Sequence, residues 1–272
     1  MCFSLATSVA FSVAGGGLTA YAFYSPTVRP TGFAYLVLFY TGMEVLQTLQ
    51  YHDLNRCGQL TNRALTEVGF VLVLVQPLMW NAFFRRNVEL AVRPAFTLAM
   101  ILSLIWMCGF SMRRFVGAEN QNFEIGSSGE GGQGACTQTS PTAFHFAWTW
   151  PLGSMNGLEA NWLFYLCAWF VPAAAFYNTP EPHFPRVSRG ALYVSMLSGG
   201  LITSCVASRN YLHAIPSTWC LFSIPSLCVP LSLAAYSDYL RLSPPAAQSN
   251  THSGPENSKW ILESDPLLNS AV

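Results

Sequence analysis

The amino-acid sequence predicts an all-α polytopic integral membrane protein, a bundle of seven transmembrane helices followed by a disordered polar tail. Three observations carry that prediction. The chain of 272 residues is 51% hydrophobic and only 10% charged, whereas a soluble domain carries roughly 25% charged residues. The apolar residues fall in blocks of about 20, long enough to cross ~30 Å of hydrocarbon. Arginines, prolines and short polar links punctuate the blocks.

The same composition excludes several function classes. Formal net charge is zero and there is no basic cluster, so nucleic acid is not an implied partner. The single lysine, Lys259, lies in the polar tail, which excludes a retinal Schiff base inside the bundle. No positive residue precedes the first apolar run, MCFSLATSVAF. That pattern predicts a spanning helix rather than a cleaved signal peptide.

The first span is expected over residues 2–24. Ser4, Ser8, Ser12, Gly15 and Thr19 recur on one face of it, a stripe of small residues of the kind that lets helices approach closely. Pro26 and Pro30 bracket a turn, and the second span follows at 31–51. The third runs over 64–84 and stops at Arg85 and Arg86; the fourth runs over 91–112 and stops at Arg113 and Arg114.

A long loop follows. Its Gly/Ser-rich part, GSSGEGGQG, lacks the spacing and the lysine of a phosphate loop. Its aromatic part, FHFAWTWPLG, is too short to span and is expected in the membrane interface. The remaining spans are expected at 158–177, 190–208 and 214–236. Ser195, Gly199 and Thr203 form a second small-residue stripe in the sixth, and Pro216, Pro225 and Pro230 predict breaks in the seventh. Residues 1–237 thus form the membrane domain and 238–272 the tail. Most tryptophans, including Trp80, Trp106, Trp148, Trp169 and Trp219, read as interface anchors.

Seven spans put the termini on opposite sides. Loops on the C-terminal side carry seven arginines and those on the N-terminal side five, so the positive-inside rule places the C-terminus in the cytoplasm. Cys57 and Cys136 fall on the N-terminal, lumenal or extracellular side, where a disulfide or two free thiols are both open. In the tail, Glu263, Leu267 and Leu268 match an acidic dileucine sorting signal. Read by a sorting adaptor, it would send the protein to endosomes, lysosomes or a vacuole.

Two constellations could carry chemistry. Glu44 sits in the second span, roughly 4–5 Å from its centre at ~1.5 Å per residue. An ionised carboxylate at such a depth costs about 2.5–3.5 kcal/mol, so Glu44 should face the bundle, protonate or find partners. Gln47 and Tyr51 share its face at +3 and +7, and Gln76 and Asn81 of the third span are candidate partners. The five form a candidate ligand- or ion-binding set. The competing role for Glu44 is a neutral hydrogen-bond clamp between helices. At the N-terminal-side surface, His52, Asp53, His145 and His213 could hold zinc tetrahedrally with one position left for water. Seven-helix membrane hydrolases use a comparable set, but no H-x-x-x-H or H-E-x-x-H spacing supports it.

Met1-Cys-Phe-Ser4, Met43-Glu-Val-Leu-Gln47 with Tyr51, Gln76-Pro77 with Asn81, and Ser217-Thr-Trp-Cys220 together resemble an uncharacterised family of polytopic membrane proteins that open with MCFS. Its members occur in bacteria, algae and large DNA viruses. The resemblance implies several transmembrane helices and supplies no activity. The sequence therefore points first to a non-enzymatic membrane protein that moves or senses a small solute or ion and has no cofactor. A zinc-dependent lipid hydrolase is the alternative, and a non-catalytic scaffold or receptor-like protein a third.

Overall fold

The computed structural model describes residues 5–117, 135–139, 146–149, 158–177, 180–181, 184–209 and 215–242. Among them are seven α-helices: α1 Leu5–Tyr24, α2 Phe33–Gln50, α3 Leu60–Arg86, α4 Arg93–Gly117, α5 Leu158–Phe176, α6 Arg189–Ala207 and α7 Ile215–Leu242. Four stretches are long and apolar enough to cross a membrane, namely Leu5–Tyr24, Leu60–Arg86, Arg93–Met112 and Ile215–Tyr236. Glu44, Gln47 and Gln50 dilute the apolarity of α2.

Two antiparallel hairpins interrupt the helices. Strand β1, Cys136–Thr139, pairs with β2, Phe146–Thr149, with Cys136 opposite Thr149. A second, shorter hairpin joins β3, Pro180–Glu181, to β4, Phe184–Ser188, just before α6.

The first small-residue stripe is a packing face. Ser8, Gly15 and Thr19 of α1 are buried. The Thr19 and Thr41 hydroxyls lie 3.1 Å apart, as do those of Ser12 and Thr48. A Cβ on Gly15 would stand 2.7 Å from Thr41 Oγ1 and 3.2 Å from Ile224 Cδ1, so the glycine lets α1 settle against both α2 and α7. Between α5 and α6, Gly190 donates its N–H to the Tyr177 carbonyl at 2.6 Å. A Cβ there would collide with the carbonyls of Ala173 and Tyr177, so glycine is what lets α6 begin against the end of α5.

Several expectations need correction. The second stripe lies one residue off: Ser195, Gly199 and Thr203 are exposed, while Gly200, Ser204 and Ser208 are buried. The helix is apolar nearly all round, so small residues alone do not mark its buried face. Pro225 and Pro230 each take one N–H out of the ladder of α7, as expected, yet it continues as one helix of 28 residues; Pro216 sits in its first turn, where no intrahelical N–H is needed. The helix also runs past Tyr236 to Leu242. Trp80, Trp148 and Trp169 are core residues, each at most 2% exposed, rather than interface anchors.

Asp238 shows what the extension of α7 does. Its carboxylate accepts hydrogen bonds from Tyr21 Oη at 3.1 Å, Ser25 Oγ at 2.6 Å and Thr27 Oγ1 at 2.5 Å. One buried acid thus staples the end of α7 to the end of α1. Sequence reasoning left this residue in the tail.

Candidate functional site

Glu44 lies on the buried face of α2 and is 0% exposed. Neither carboxyl oxygen has a hydrogen-bond partner among the described residues. Its position follows from the helix period: Tyr40, Thr41, Met43, Glu44 and Gln47 are all buried, whereas Leu38, Val45 and Leu49 on the other side are exposed. The helix thus buries its carboxyl and amide residues together with Leu36, Val37 and Leu46, and leaves Leu38, Val45 and Leu49 outside.

The four neighbouring candidates turn to different partners. Gln47 donates through Nε2 to the Ser217 carbonyl of α7 at 3.2 Å. Gln76 donates through Nε2 toward Met43 Sδ at 3.2 Å and Cys220 Sγ at 3.6 Å, and its Oε1 accepts from Tyr165 Oη at 2.5 Å. Gln76 therefore joins α2, α3, α5 and α7. Asn81 turns elsewhere: its Nδ2 donates to the Pro77 and Ala168 carbonyls at 2.8 and 2.9 Å, toward α5. Asn81 is not a partner of Glu44, and its Oδ1 has no hydrogen-bond partner among the described residues.

Tyr51, one turn past Gln47, meets the β1–β2 hairpin, with its ring 5.1 Å from that of Phe146 and edge-on. Of the aromatic segment expected in the interface, Phe146–Thr149 form a strand, with Phe146, Ala147 and Trp148 at most 2% exposed. Trp148 Nε1 donates to Gln50 Oε1 at 2.9 Å, and Ser217 Oγ donates to the Phe146 carbonyl at 2.6 Å. Asn62 Nδ2 donates to the Thr137 carbonyl at 2.9 Å, and the Thr137 N–H returns a bond to Asn62 Oδ1 at 3.0 Å. A disulfide joins Cys57 to Cys136, 79 residues apart, across a Cα–Cα distance of 5.1 Å. The hairpin therefore caps one end of α2, α3 and α7. Ser217 links that cap to Gln47, one turn from Glu44.

The surface zinc set is only half visible. His52 is exposed, and Asp53 lies 3.4 Å from Arg56 Nη1 in a surface ion pair. His145 and His213 lie outside the described residues, as do Glu263, Leu267 and Leu268 of the sorting motif. No group of three or more His, Cys, Asp or Glu side chains is placed to hold a metal among the described residues.

The ordered polar and apolar helices, from α1 through Asp238, match a model described as a family of unknown function (DUF5765) over residues 6–238. The chain belongs to that family. The match takes in Glu44, Gln47, Gln76, the hairpin and the Asp238 staple, and it starts after the MCFS opening. No curated protein and no solved structure matches the chain.

Sequence reasoning missed three parts of this region. Tyr165 and Cys220 complete the surroundings of Gln76, and Trp80 donates through Nε1 to Tyr40 Oη at 2.8 Å. Each residue was visible as an aromatic or a cysteine inside an apolar run. Cys220 stood out only as the last residue of the Ser217-Thr-Trp-Cys220 match, and nothing local marked Tyr40 or Tyr165 as more than packing residues.

Proposed function

We propose that this protein is a multi-pass membrane protein of seven spans that moves or senses a small solute or ion, with Glu44 as its working carboxyl. One observation carries the reading. Glu44 is wholly buried, yet neither of its oxygens is bonded among the described residues. A hydrogen-bond clamp would need a partner, and a buried polar group without one is costly. Acids at this depth in membrane proteins are functional by default.

The membrane assignment draws on the same pattern throughout the bundle. Val13, Leu98, Ile105, Val171 and Val206 are exposed, while Glu44, Gln47, Gln50, Gln76 and Asn81 are buried. Water would favour the reverse, but lipid tails solvate exposed aliphatic side chains and leave buried polar groups to pair within the bundle. The disulfide end then faces the lumen or the exterior, where thiols oxidise, and the C-terminus faces the cytoplasm.

Proton flux into proteoliposomes tests the role of Glu44. Under a potassium diffusion potential, an entrapped pH dye should report acidification with the wild-type protein, and Glu44→Gln should abolish it. Equal flux through both proteins would reject Glu44 as the working group.

A further inference from the structure

Five helices meet around a cavity with room for about one water molecule. Tyr40 of α2, Gln76 and Trp80 of α3, Trp169 of α5, and Ser223 and Ser226 of α7 supply its polar and aromatic lining, with Leu197 of α6 closing it. Tyr40 and Leu197 stand about halfway along their helices. Solute sites in membrane bundles form at such mid-depth helix junctions.

The lining supplies both donors and acceptors. Trp169 is 2% exposed, and its Nε1–H has no hydrogen-bond partner among the described residues. A buried indole N–H ordinarily finds an acceptor. Tyr40 Oη accepts from Trp80 Nε1, a bond that does not use Tyr40's own hydroxyl hydrogen. Ser223 donates to the Cys220 carbonyl and Ser226 to the Phe222 carbonyl at 2.8 Å, so both hydroxyl oxygens keep lone pairs.

Among the described residues the lining contains no charged side chain, and Glu44 is not part of it. The rings are also too close to enclose an organic cation. Trp169 lies 6.1 Å from Trp80 and 4.8 Å from Trp219 between ring centroids, which is direct ring-to-ring packing.

We propose that this cavity is the solute position of the bundle and takes a water-sized, uncharged molecule that both donates and accepts hydrogen bonds, water or ammonia. The molecule accepts from Trp169 Nε1 and donates to Ser223 or Ser226. This deepens the reading of Glu44 and rests on it for the membrane role: the neutral solute occupies the cavity, while the proton belongs to Glu44 one helical turn beyond Tyr40.

Stopped-flow measurements on proteoliposomes test it in two arms. Osmotic shrinkage reads water, and alkalinisation of an entrapped pH dye after an ammonium chloride pulse reads ammonia. The wild-type protein should exceed protein-free vesicles at least fivefold in one arm, which also says which molecule is carried. Trp169→Phe, which removes the donor, and Leu197→Phe, which fills the space, should each return that rate to the vesicle background. Both variants are checked for an intact disulfide and a monodisperse elution profile. A wild-type rate equal to empty vesicles in both arms, or a rate unchanged by a well-folded Leu197→Phe, overturns the proposal. The two readings are scored separately: proton flux in Glu44→Gln equal to the wild type's rejects the Glu44 role, while the Trp169→Phe and Leu197→Phe rates decide the cavity.

Discussion

Replacing Glu44 by methionine should stabilise the protein while removing its proton flux. The side chain is 0% exposed and its carboxyl oxygens have no hydrogen-bond partners among the described residues, so the substitution breaks no observed side-chain bond. It removes an unsatisfied buried polar group, which costs about 1–3 kcal/mol. Methionine is similar in length and flexible enough to fill the space, and volume-conserving apolar changes cost under about 1.5 kcal/mol. The balance is a gain of roughly 1–2 kcal/mol, or about 2–8 °C in Tm for a chain of this size. Thermal unfolding followed by tryptophan fluorescence in lipid nanodiscs measures it. Glu44→Gln is the control, since its amide leaves polar atoms equally unpaired and should bring no gain. A loss of more than 1 kcal/mol in Glu44→Met, with flux intact, would show that Glu44 holds the helices together and would sink the reasoning.

Three further outcomes follow from the packing. Replacing Cys57 and Cys136 by serine opens a loop of 79 residues, and chain entropy sets the loss at about 4.5 kcal/mol; an unfolding midpoint equal to the wild type's would contradict the hairpin's role as a fixed cap. Asp238→Ala leaves the hydroxyls of Tyr21, Ser25 and Thr27 without their acceptor. It should cost about 2–4 kcal/mol and speed hydrogen exchange in residues 21–28, with partial recovery in Asp238→Asn. Gly15→Val drives a side chain into Thr41 and should cost about 1–3 kcal/mol, whereas Gly16→Val, which meets nothing within 4 Å, should leave the melting temperature unchanged. Adding Thr41→Ala to Gly15→Val should recover part of the loss, and no recovery would place the strain elsewhere.

Much of the helical plan was legible in the sequence. Apolar blocks between proline and arginine punctuation placed seven helices to within a few residues, except at the start of α3 and the ends of α4 and α7, because helix formation reads local composition. Glu44 was legible for the same reason: one acid in an apolar run stands out. The partners of Gln76 were not, because Met43, Cys220 and Tyr165 look like ordinary core residues until the helices meet. The direction of Asn81 was not legible either: its Nδ2 donates to the Pro77 and Ala168 carbonyls, and the Ala168 carbonyl comes alongside only when α3 meets α5.

By itself the sequence determined roughly where the seven helices among the described residues begin and end, and which of them carries the acid. These properties depend on hydrophobicity and backbone chemistry over a turn or two. Only the tertiary structure decided what the acid faces. Asp238 reaches Ser25 across 213 residues and Trp148 reaches Gln50 across 98. The tryptophans converge on one cavity although they stand on three different helices. In helices apolar nearly all round, the polarity contrast that marks a buried face is weak. Close packing, interhelical hydrogen bonds and the disulfide then choose the face, and they left Glu44 buried with no hydrogen-bond partner among the described residues for its carboxyl.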